Sequence, residues 1–428
     1  MKKVVIIGHL AKASPRIPGL AKYFPEFGWQ PVIVTAPLEK KPDSNFRIVE
    51  TETRYTFGLL KKVLKLTPTS DEKIQIKDRL GIASAKSLID FVLTRVGEIV
   101  NYPDSDKGWK IFAVQAGKKL ITEEKIDALI SSSSPVTSHI IAKELKSRYQ
   151  IPWIADLRDL WSQNHNYGYG PLRHRVDERL ELKTLASADA LVTVSQPWAD
   201  KLSALHGGKT AYVITNGFDP ETVAVPSESL TAKFTVTYTG LIYPGKQDIT
   251  RFFAALRDLI SGGAIDPNQI EVRFYGTGAD WLEKEIEQYG LSGVAIQYGQ
   301  VSRDVSLQKQ RESQVLLLLN WDDPQEKGNY PGKVFEYLAA RRPVLATGGP
   351  EGNVVAELLR ETGSGIHTAT VDDTRKALEK MYREFKSQGQ VACHGDDSKI
   401  NSYSYREMAR KFSRILDSLA LEKQAAQR

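Results

Sequence analysis

Short apolar runs, most of them followed by a helical pattern, recur along both halves of the chain. In the first half these runs occupy residues 3–7, 31–35, 128–131, 153–156, 191–194 and 212–214. In the second half they occupy residues 235–239, 272–275, 295–298, 315–319 and 344–347. Continuous apolar runs are typical of strands buried on both faces, and their alternation with helices indicates parallel sheets. The pattern therefore predicts an α/β protein with two Rossmann-like domains, whose parallel sheets we expect to face a cleft between them.

The alternation is interrupted at residues 213–233, which carry Asn-Gly, two prolines and several serines and lack helical periodicity. Such a stretch is typical of a linker between domains. It predicts an N-terminal domain over residues 1–225 and a C-terminal domain over residues 226–400. Residues 401–428 then contain a final amphipathic helix.

A second departure from the alternation is the long, mainly helical segment 55–119, which is basic in parts. In its first predicted helix, residues 59–66, the lysines lie on one face and the leucines and a valine lie on the opposite face. An amphipathic basic helix of this kind either lies on an anionic membrane surface or packs on the sheet as an ordinary surface helix.

Composition narrows the function classes. The chain has 428 residues, of which 41% are hydrophobic and 26% charged, with a formal net charge of +6. A modest basic excess suits an anionic partner such as a nucleotide diphosphate, a lipid pyrophosphate or a membrane surface. None of the usual nucleic-acid motifs or metal-ligand spacings is present, and no run approaches the roughly 20 apolar residues of a membrane span. The single cysteine, Cys393, is compatible with a reducing cytosol.

The strongest candidate for chemistry lies within residues 328–347. There a turn rich in glycine and proline ends at Gly332 and Lys333, and a helix is predicted to begin near Val334. The first turn of a helix offers free N–H groups and the positive end of a dipole, which together bind phosphate. Lys333 adds a positive charge, and Glu336 either accepts hydrogen bonds from ribose hydroxyls or only stabilises the helix dipole.

This segment resembles the donor motif of retaining glycosyltransferases of family four, which have the GT-B fold. Glu336 matches the second of the two glutamates in the family's pattern. The first would fall at Gly328 and is absent, so the backbone of residues 329–332 is expected to take its place. Arg341 or Arg342 stands where the family often has glycine. The resemblance also implies that the C-terminal helix returns to the N-terminal domain.

Three further loops of the second half resemble the same family. Gly240, followed by Lys246, matches the loop whose cation grips the diphosphate in the family; a solvated lysine in a turn is the alternative. Gly276 and Gly278 match a loop directed toward the nucleotide, and Val301 lies in a loop that places backbone groups against the base. The order and spacing of these loops support the likeness more than any single glycine does.

In the first half, Asp156, Arg158 and Asp159 follow a predicted strand and resemble an Asp-x-Arg-Asp-x-Trp signature of a subgroup of the family. They lie at the carboxyl edge of a sheet, where α/β folds bind ligands. They either position the acceptor and donor sugar, with Asp159 or Asp156 as the orienting carboxylate, or form a structural network in which Arg158 pairs with an aspartate. Arg16 and Gly19 occupy a predicted loop that the family places near the donor phosphates and acceptor.

The resemblance implies a retaining, metal-independent transferase that moves a sugar from a nucleotide diphosphate, with a UDP-sugar favoured, to an acceptor hydroxyl. The helix dipole, Lys246 and Lys333 would neutralise the diphosphate without a metal or other cofactor. The implied acceptor is a saccharide or a lipid-linked saccharide of surface polysaccharide synthesis, handled in the cytoplasm or at the inner face of the plasma membrane. Two alternatives stay open: a sugar-nucleotide epimerase of the same fold, and a non-catalytic nucleotide-binding scaffold.

Overall fold

The computed structural model describes residues 1–12, 15–40, 42, 44–54, 101–224, 229–276 and 278–426. Most of the segment predicted as a helical insertion, residues 55–100, lies outside this range, and so does part of the predicted linker. The chain divides into two compact units. The first comprises Met1–Thr193, Trp198–Ile214 and Ala409–Arg428, and the second comprises Val194–Pro197 and Thr215–Met408.

Within its described residues, the first unit holds a parallel sheet of seven strands. The strands are β1 (Lys2–Ile7), β2 (Trp29–Thr35), β3 (Arg47–Glu50), β4 (Ala128–Ser133), β5 (Trp153–Leu157), β6 (Ala190–Thr193) and β7 (Ala211–Val213). Their spatial order is β3-β2-β1-β4-β5-β6-β7. The central strands β1, β4 and β5 are buried along most or all of their length, as their continuous apolar runs predict.

The second unit repeats this architecture with six parallel strands among its described residues. They are β8 (Phe234–Thr239), β9 (Ile270–Tyr275), β10 (Ala295–Gly299), β11 (Val315–Leu319), β12 (Val344–Thr347) and β13 (Gly365–Thr368). Their spatial order is β10-β9-β8-β11-β12-β13. Two apolar clusters fill this unit, and Phe218, which precedes the predicted start of the C-terminal domain, packs in one of them.

Helices connect the strands in both units, which is the crossover that parallel strands require. In the first unit they are α1 (Arg16–Tyr23), α2 (Lys110–Glu123), α3 (Thr137–Tyr149), α4 (Pro171–Leu185) and α5 (Gln196–Leu205). In the second they are α6 (Thr250–Ser261), α7 (Asp280–Gln288), α8 (Arg303–Arg311), α9 (Lys333–Ala340), α10 (Val354–Thr362), α11 (Val371–Gln388) and α12 (Asp397–Asn401). The last helix, α13 (Tyr405–Ala426), places Asp417 2.7 Å from the ammonium of Lys2 in the first unit.

The fold class is confirmed: each half of the chain forms a parallel sheet flanked by helices. Every strand predicted from an apolar run is present. Two strands, β3 and β13, were not predicted, and both are edge strands. Their exposed or half-buried positions break the continuous apolar run that marks the inner strands.

Candidate functional site

The predicted glycine loops of the second unit meet at the carboxyl edge of its sheet. Gly240 follows β8 with a positive φ of 101°, and its amide donates to the carbonyl of Tyr275 at 2.6 Å. Gly276 follows β9, and a Cβ added there would lie 2.3 Å from the carbonyl oxygen of Gly240. The positive φ disfavours any other residue at Gly240, and the close carbonyl oxygen excludes one at Gly276 unless the backbone shifts. The two glycines therefore allow two loops to touch beside the start of α9.

Lys333 lies directly beside this glycine pair. A Cβ added at Gly240 would be 3.4 Å from the Lys333 Nζ. The ammonium donates a hydrogen bond to the hydroxyl of Tyr238 and lies 3.8 Å from the centre of its ring. That hydroxyl donates in turn to the carbonyl of Leu241 at 2.9 Å. Burial lowers the pKa of Lys333 to about 7, and the carboxylate of Glu336 opposes this shift only in part.

The helix that carries Lys333 begins at the predicted turn. Gly332 is its N-cap, and no side chain caps the helix among the residues described. Val334 donates its amide to the carbonyl of Pro331 at 2.9 Å, and its side chain is buried in the core. Gly332 is exposed, and a Cβ added there would meet nothing within 4 Å. The amide of Val334, a predicted donor residue, is therefore occupied, and the other backbone N–H groups at the start of α9 lie next to an ammonium group, which is an arrangement that suits a phosphate.

The other end of α9 depends on an arginine. Arg341 ends the helix in the left-handed conformation, with a φ of 54°. Its Nη1 donates to the carbonyl of Leu338 at 2.8 Å, its Nη2 donates to Asn401 at 2.9 Å, and its Nε lies 2.6 Å from Asp397. Of the two arginines that stand where the family often has glycine, Arg341 is the one with a positive φ.

Glu336 lies in the first turn of α9, and its carboxylate contacts two side chains of the same unit. One of its carboxylate oxygens is 2.9 Å from Arg303, and the other accepts a hydrogen bond from Gln310 at 3.4 Å. Gln310 also donates to the hydroxyl of Thr239 at 3.1 Å. Arg303, Gln310 and Tyr238 were not predicted as site residues. Arg303 and Gln310 lie on α8, outside the motif, and Tyr238 was counted only as part of a buried strand.

The remaining predicted donor residues lie in other loops. Lys246 is exposed, with its ammonium 5.8 Å from the ring of Trp321. The amide of Asp322 donates to the Lys246 carbonyl at 2.7 Å. Gly278 is exposed, and Val301 is half-buried two residues after β10. The contacts of the described residues thus bring Gly240, Gly276, Lys333 and Glu336 together, whereas Lys246 packs on a tryptophan.

In the first unit, Asp156 forms a buried ion pair with Arg16. The guanidinium donates from Nε to Oδ2 at 3.1 Å and from Nη2 to Oδ1 at 2.8 Å, and both side chains are at most 2% exposed. Ser132 donates to the same carboxylate at 2.8 Å, and Arg16 also donates to the carbonyl of Ile214 at 2.9 Å. The charge of Arg16 is therefore neutralised inside this unit, contrary to the expectation that it would face the donor phosphates.

The loop expected around Arg16 and Gly19 is also corrected. Both residues lie in α1, which follows Pro15 directly. Proline is tolerated before and within the first turn of a helix because the N–H groups there have no intrahelical partner. Pro15, which precedes α1, and Pro18, which lies in its first turn, are therefore compatible with this helix start.

Arg158 and Asp159 lie just beyond this pair. The Arg158 Nε donates to the carbonyl of Ser133 at 2.6 Å and its Nη2 donates to that of Ser134 at 2.9 Å. Burial lowers the pKa of Arg158, and the nearby carboxylates of Asp159 and Asp156 oppose this shift. Among the described residues, Arg158 donates to two backbone carbonyls, and Asp156 pairs with Arg16. The hydrogen bond between Arg158 and an aspartate, which the structural alternative predicted, is therefore absent from these contacts. Asp159 is half-buried at the carboxyl edge of the sheet.

The described residues bear on possible partners in two respects. They contain no group of three or more His, Cys, Asp or Glu side chains that could hold a metal ion. No helix in the described part of the chain is both long enough and apolar enough to cross a bilayer.

Comparison with known proteins gives a matching family model and solved structures of similar fold. Residues 19–222 match the model of Glycosyltransferase Family 4. Among curated protein sequences, none matches this chain. Among solved structures, HepE from Anabaena in complex with UDP and glucose is 12% identical, with a TM-score of 0.63 over 98% of this chain and 100% of that one.

Two other solved structures are similar over almost their whole length. A glycosyltransferase from Rickettsia africae is 12% identical, with a TM-score of 0.61 over 98% of both chains. Sucrose-phosphate synthase from Thermosynechococcus elongatus is 13% identical, with a TM-score of 0.53 over 100% of this chain and 98% of that one. At these identities the likeness shows the fold, which is GT-B.

Proposed function

We propose that this chain is a glycosyltransferase that transfers a sugar, with retention, from a nucleoside diphosphate to an acceptor hydroxyl; the match of residues 19–222 to the Glycosyltransferase Family 4 model and the GT-B fold support this proposal. The observation that carries the donor site is the position of Lys333. Its ammonium is enclosed between Tyr238 and Gly240 at the uncapped start of α9. An ammonium held next to free backbone N–H groups is a site for a phosphate group.

The same arrangement supplies the chemistry of the leaving group. The bond from the anomeric carbon to the phosphate oxygen breaks, and the diphosphate gains negative charge. Lys333 and the dipole of α9 stabilise that charge where it develops. Lys246 reaches the diphosphate only if its side chain leaves the ring of Trp321. With these cations in place, we expect transfer without a divalent metal.

Glu336 is proposed to bind the ribose of the donor. Its carboxylate is 27% exposed and is held by Arg303, which is 58% exposed and therefore able to move. Ribose hydroxyls can take the place of the arginine as donors to this carboxylate. Gly276, Gly278 and Val301 line the path expected for the base. A UDP-sugar is the favoured donor, and the HepE structure of the same fold contains UDP and glucose.

On the acceptor side, Asp159 is the proposed orienting carboxylate. It is half-buried at the carboxyl edge of the sheet, whereas Asp156 is occupied by Arg16. In the proposed front-face reaction the acceptor oxygen bonds to the anomeric carbon as the phosphate leaves from the same face. The phosphate oxygen takes the acceptor proton, and the products are a glycoside and a nucleoside diphosphate. The acceptor class proposed is a saccharide, lipid-linked at the inner face of the plasma membrane.

A thermal-shift screen against UDP, GDP, dTDP and ADP, each with its sugar derivatives, tests the donor site. We expect stabilisation by one nucleotide series, its loss in Lys333→Ala and Glu336→Ala, and its retention in Lys376→Ala. Lys376 is a matched control because it is an exposed lysine of the same unit, paired with Asp372. Unchanged affinity in both site variants would refute the donor site.

Turnover separates the alternatives. Release of free nucleotide that requires an acceptor, persists in EDTA and gives a product of retained anomeric configuration supports the proposal. Donor turnover without an acceptor identifies an epimerase, and binding without turnover identifies a scaffold. Flotation with liposomes that contain anionic lipid tests the membrane part, which the absence of binding would refute.

A further inference from the structure

The first unit contains a cavity that the sequence analysis did not assign. It has a volume of about 300 Å³ and is lined by parts of residues 103–106, 134–136 and 160–169, together with Lys12 and Asp177. This volume lies at the lower end of the roughly 300–1,000 Å³ typical of small-molecule sites. It suits one sugar ring better than a longer ligand.

One wall of the cavity is aromatic. Tyr167 and Tyr169 meet edge to face with their ring centres 5.5 Å apart, and Trp161 also lines the space. The guanidinium of Arg173 lies 4.7 Å from the ring centre of Tyr169 and supports it from outside the lining. The side chain of Asn164 shapes the loop by accepting a hydrogen bond from the Asn166 amide at 2.7 Å. An aromatic face can pack against the C–H groups on one face of a pyranose ring.

A buried carboxylate completes the polar side. Asp177 is 2% exposed and lines the cavity. Its Oδ2 accepts hydrogen bonds from Arg173 at 2.8 Å and from the hydroxyl of Tyr167 at 2.6 Å. Its Oδ1 has no hydrogen-bond partner among the described residues. A buried acceptor without a partner is costly and rare, so a ligand hydroxyl that donates to Oδ1 would satisfy it.

The charges at the cavity select against anionic ligands. Asp104 and Asp106 line it together with Asp177. Lys12 lies 2.6 Å from Asp106 and Arg173 pairs with Asp177, whereas Asp104 forms no ion pair with a described residue. The remaining negative charge and the free carboxylate oxygen favour a ligand that donates hydroxyl hydrogens. A uronic acid or a phosphorylated sugar would add a like charge at this site.

The cavity is also connected to the predicted acceptor residues. Its lining includes Ser134, whose carbonyl accepts a hydrogen bond from Arg158 at 2.9 Å. The loop from Arg158 and Asp159 continues directly to Leu160 and Trp161, which are lining residues themselves. A ligand in the cavity would therefore contact the loops that hold the residues proposed to orient the acceptor.

We propose that this cavity binds the pyranose ring of a neutral saccharide, with its C–H face on the tyrosine pair and a hydroxyl donated to Asp177 Oδ1. Resting on the proposed function, this ring is the sugar of the acceptor. The site prefers neutral over acidic saccharides because of the carboxylates that line it.

Substitution of Gly168 tests the cavity without an expected effect on folding. It lines the cavity, its φ is not positive, and a Cβ added there would meet nothing within 4 Å. Gly168→Trp would fill the space, whereas Gly168→Ala would leave it open. Leu172→Trp is a matched control, because Leu172 is 76% exposed on α4 and does not line the cavity. Equal melting temperatures of the variants and the parent verify that folding is intact.

The measurement is saturation-transfer difference NMR of the full chain with methyl glucopyranoside, methyl galactopyranoside, methyl mannopyranoside and methyl glucuronide, without nucleotide. We expect signals from at least one neutral glycoside, weaker signals from the glucuronide, and at least a tenfold loss in Gly168→Trp alone. No neutral glycoside signal, or a signal that Gly168→Trp leaves intact, overturns the site. A glucuronide signal as strong as that of the neutral sugars overturns the charge argument.

A second readout separates this inference from the proposed function. UDP affinity, measured by calorimetry, should be the same in Gly168→Trp and the parent, because the donor residues lie in the other unit. Glycoside binding without nucleotide binding supports the cavity and refutes the donor site. Nucleotide binding with no glycoside signal does the reverse.

Discussion

The pKa of Lys333 makes nucleotide affinity depend on pH. Burial lowers this pKa to about 7 from an ordinary value of 10.5, so the free protein loses the ammonium charge as the pH rises through neutrality. A bound diphosphate would favour the charged form and raise the pKa again. Above pH 7 binding must then take up a proton, and affinity should fall roughly tenfold per pH unit. Between pH 7.5 and 9.0 the expected loss is about 25-fold, the ratio of the charged fractions of a group with a pKa of about 7.

Calorimetric titration with UDP at pH 7.5, 8.25 and 9.0 measures this slope. The range avoids the protonation of the terminal phosphate, whose pKa is about 6 in phosphate esters. Lys333→Arg keeps its charge throughout and should bind with a nearly flat profile. Lys333→Met should bind weakly with no slope and approach the parent at pH 9.0. A flat profile for the parent, or an unchanged slope in Lys333→Met, would refute the role of this amine.

Three stability predictions follow from the packing. Asp156→Asn removes the charge of one member of the buried Arg16–Asp156 ion pair and should cost about 3–5 kcal/mol in urea denaturation, more than replacement of both by apolar residues. Burial lowers the pKa of His139 to about 4, so that, as the pH falls, this histidine takes up a proton in the unfolded chain before it does so in the folded one. Stability is then full above pH 6.5 and falls below it, by about 2 kcal/mol between pH 7 and 5, and His139→Gln should remove this slope. Gly365→Ala, whose methyl group would lie 2.0 Å from a carbonyl oxygen of the neighbouring strand, should lower the melting temperature by several degrees, whereas Gly168→Ala should not. An equal effect of the two alanines would contradict the steric argument.

The inner strands were predictable because burial on both faces demands a continuous apolar run. β11, with five buried aliphatic residues, is the clearest case. β3 escaped prediction because it lies at the edge of its sheet, where none of its residues is fully buried. β13 is also an edge strand; its first three residues, beginning with Gly365, are exposed or half-buried.

At the candidate site, the local sequence predicted the residues of each motif and their secondary structure, but not the distant residues that pack against them. The turn that ends at Gly332, the helix start and Lys333 follow from residues that are adjacent in the chain. The contact of Lys333 with Tyr238 joins residues 95 positions apart, and the pair of Arg16 with Asp156 spans 140 positions. Such pairs depend on tertiary packing, which no local pattern encodes.

The cavity of the first unit illustrates the same distinction. The residues around Tyr167 and Tyr169 form a polar and aromatic loop in the sequence, with no recognisable motif. Only the packing of α4 places Asp177 under that loop, with one carboxylate oxygen unpaired. Unmet hydrogen-bonding capacity is a property of the folded molecule, so the sequence could not reveal it.

Arg341 shows how a backbone position that usually suits glycine can be held by a long side chain. The left-handed conformation costs a non-glycine residue roughly 1–2 kcal/mol. Here the cost is offset by contacts that reach Asp397 and Asn401 on α12. The arginine therefore depends on that short helix. In a relative that lacks α12, we expect glycine in place of arginine at the end of α9, so that the two features occur together or not at all.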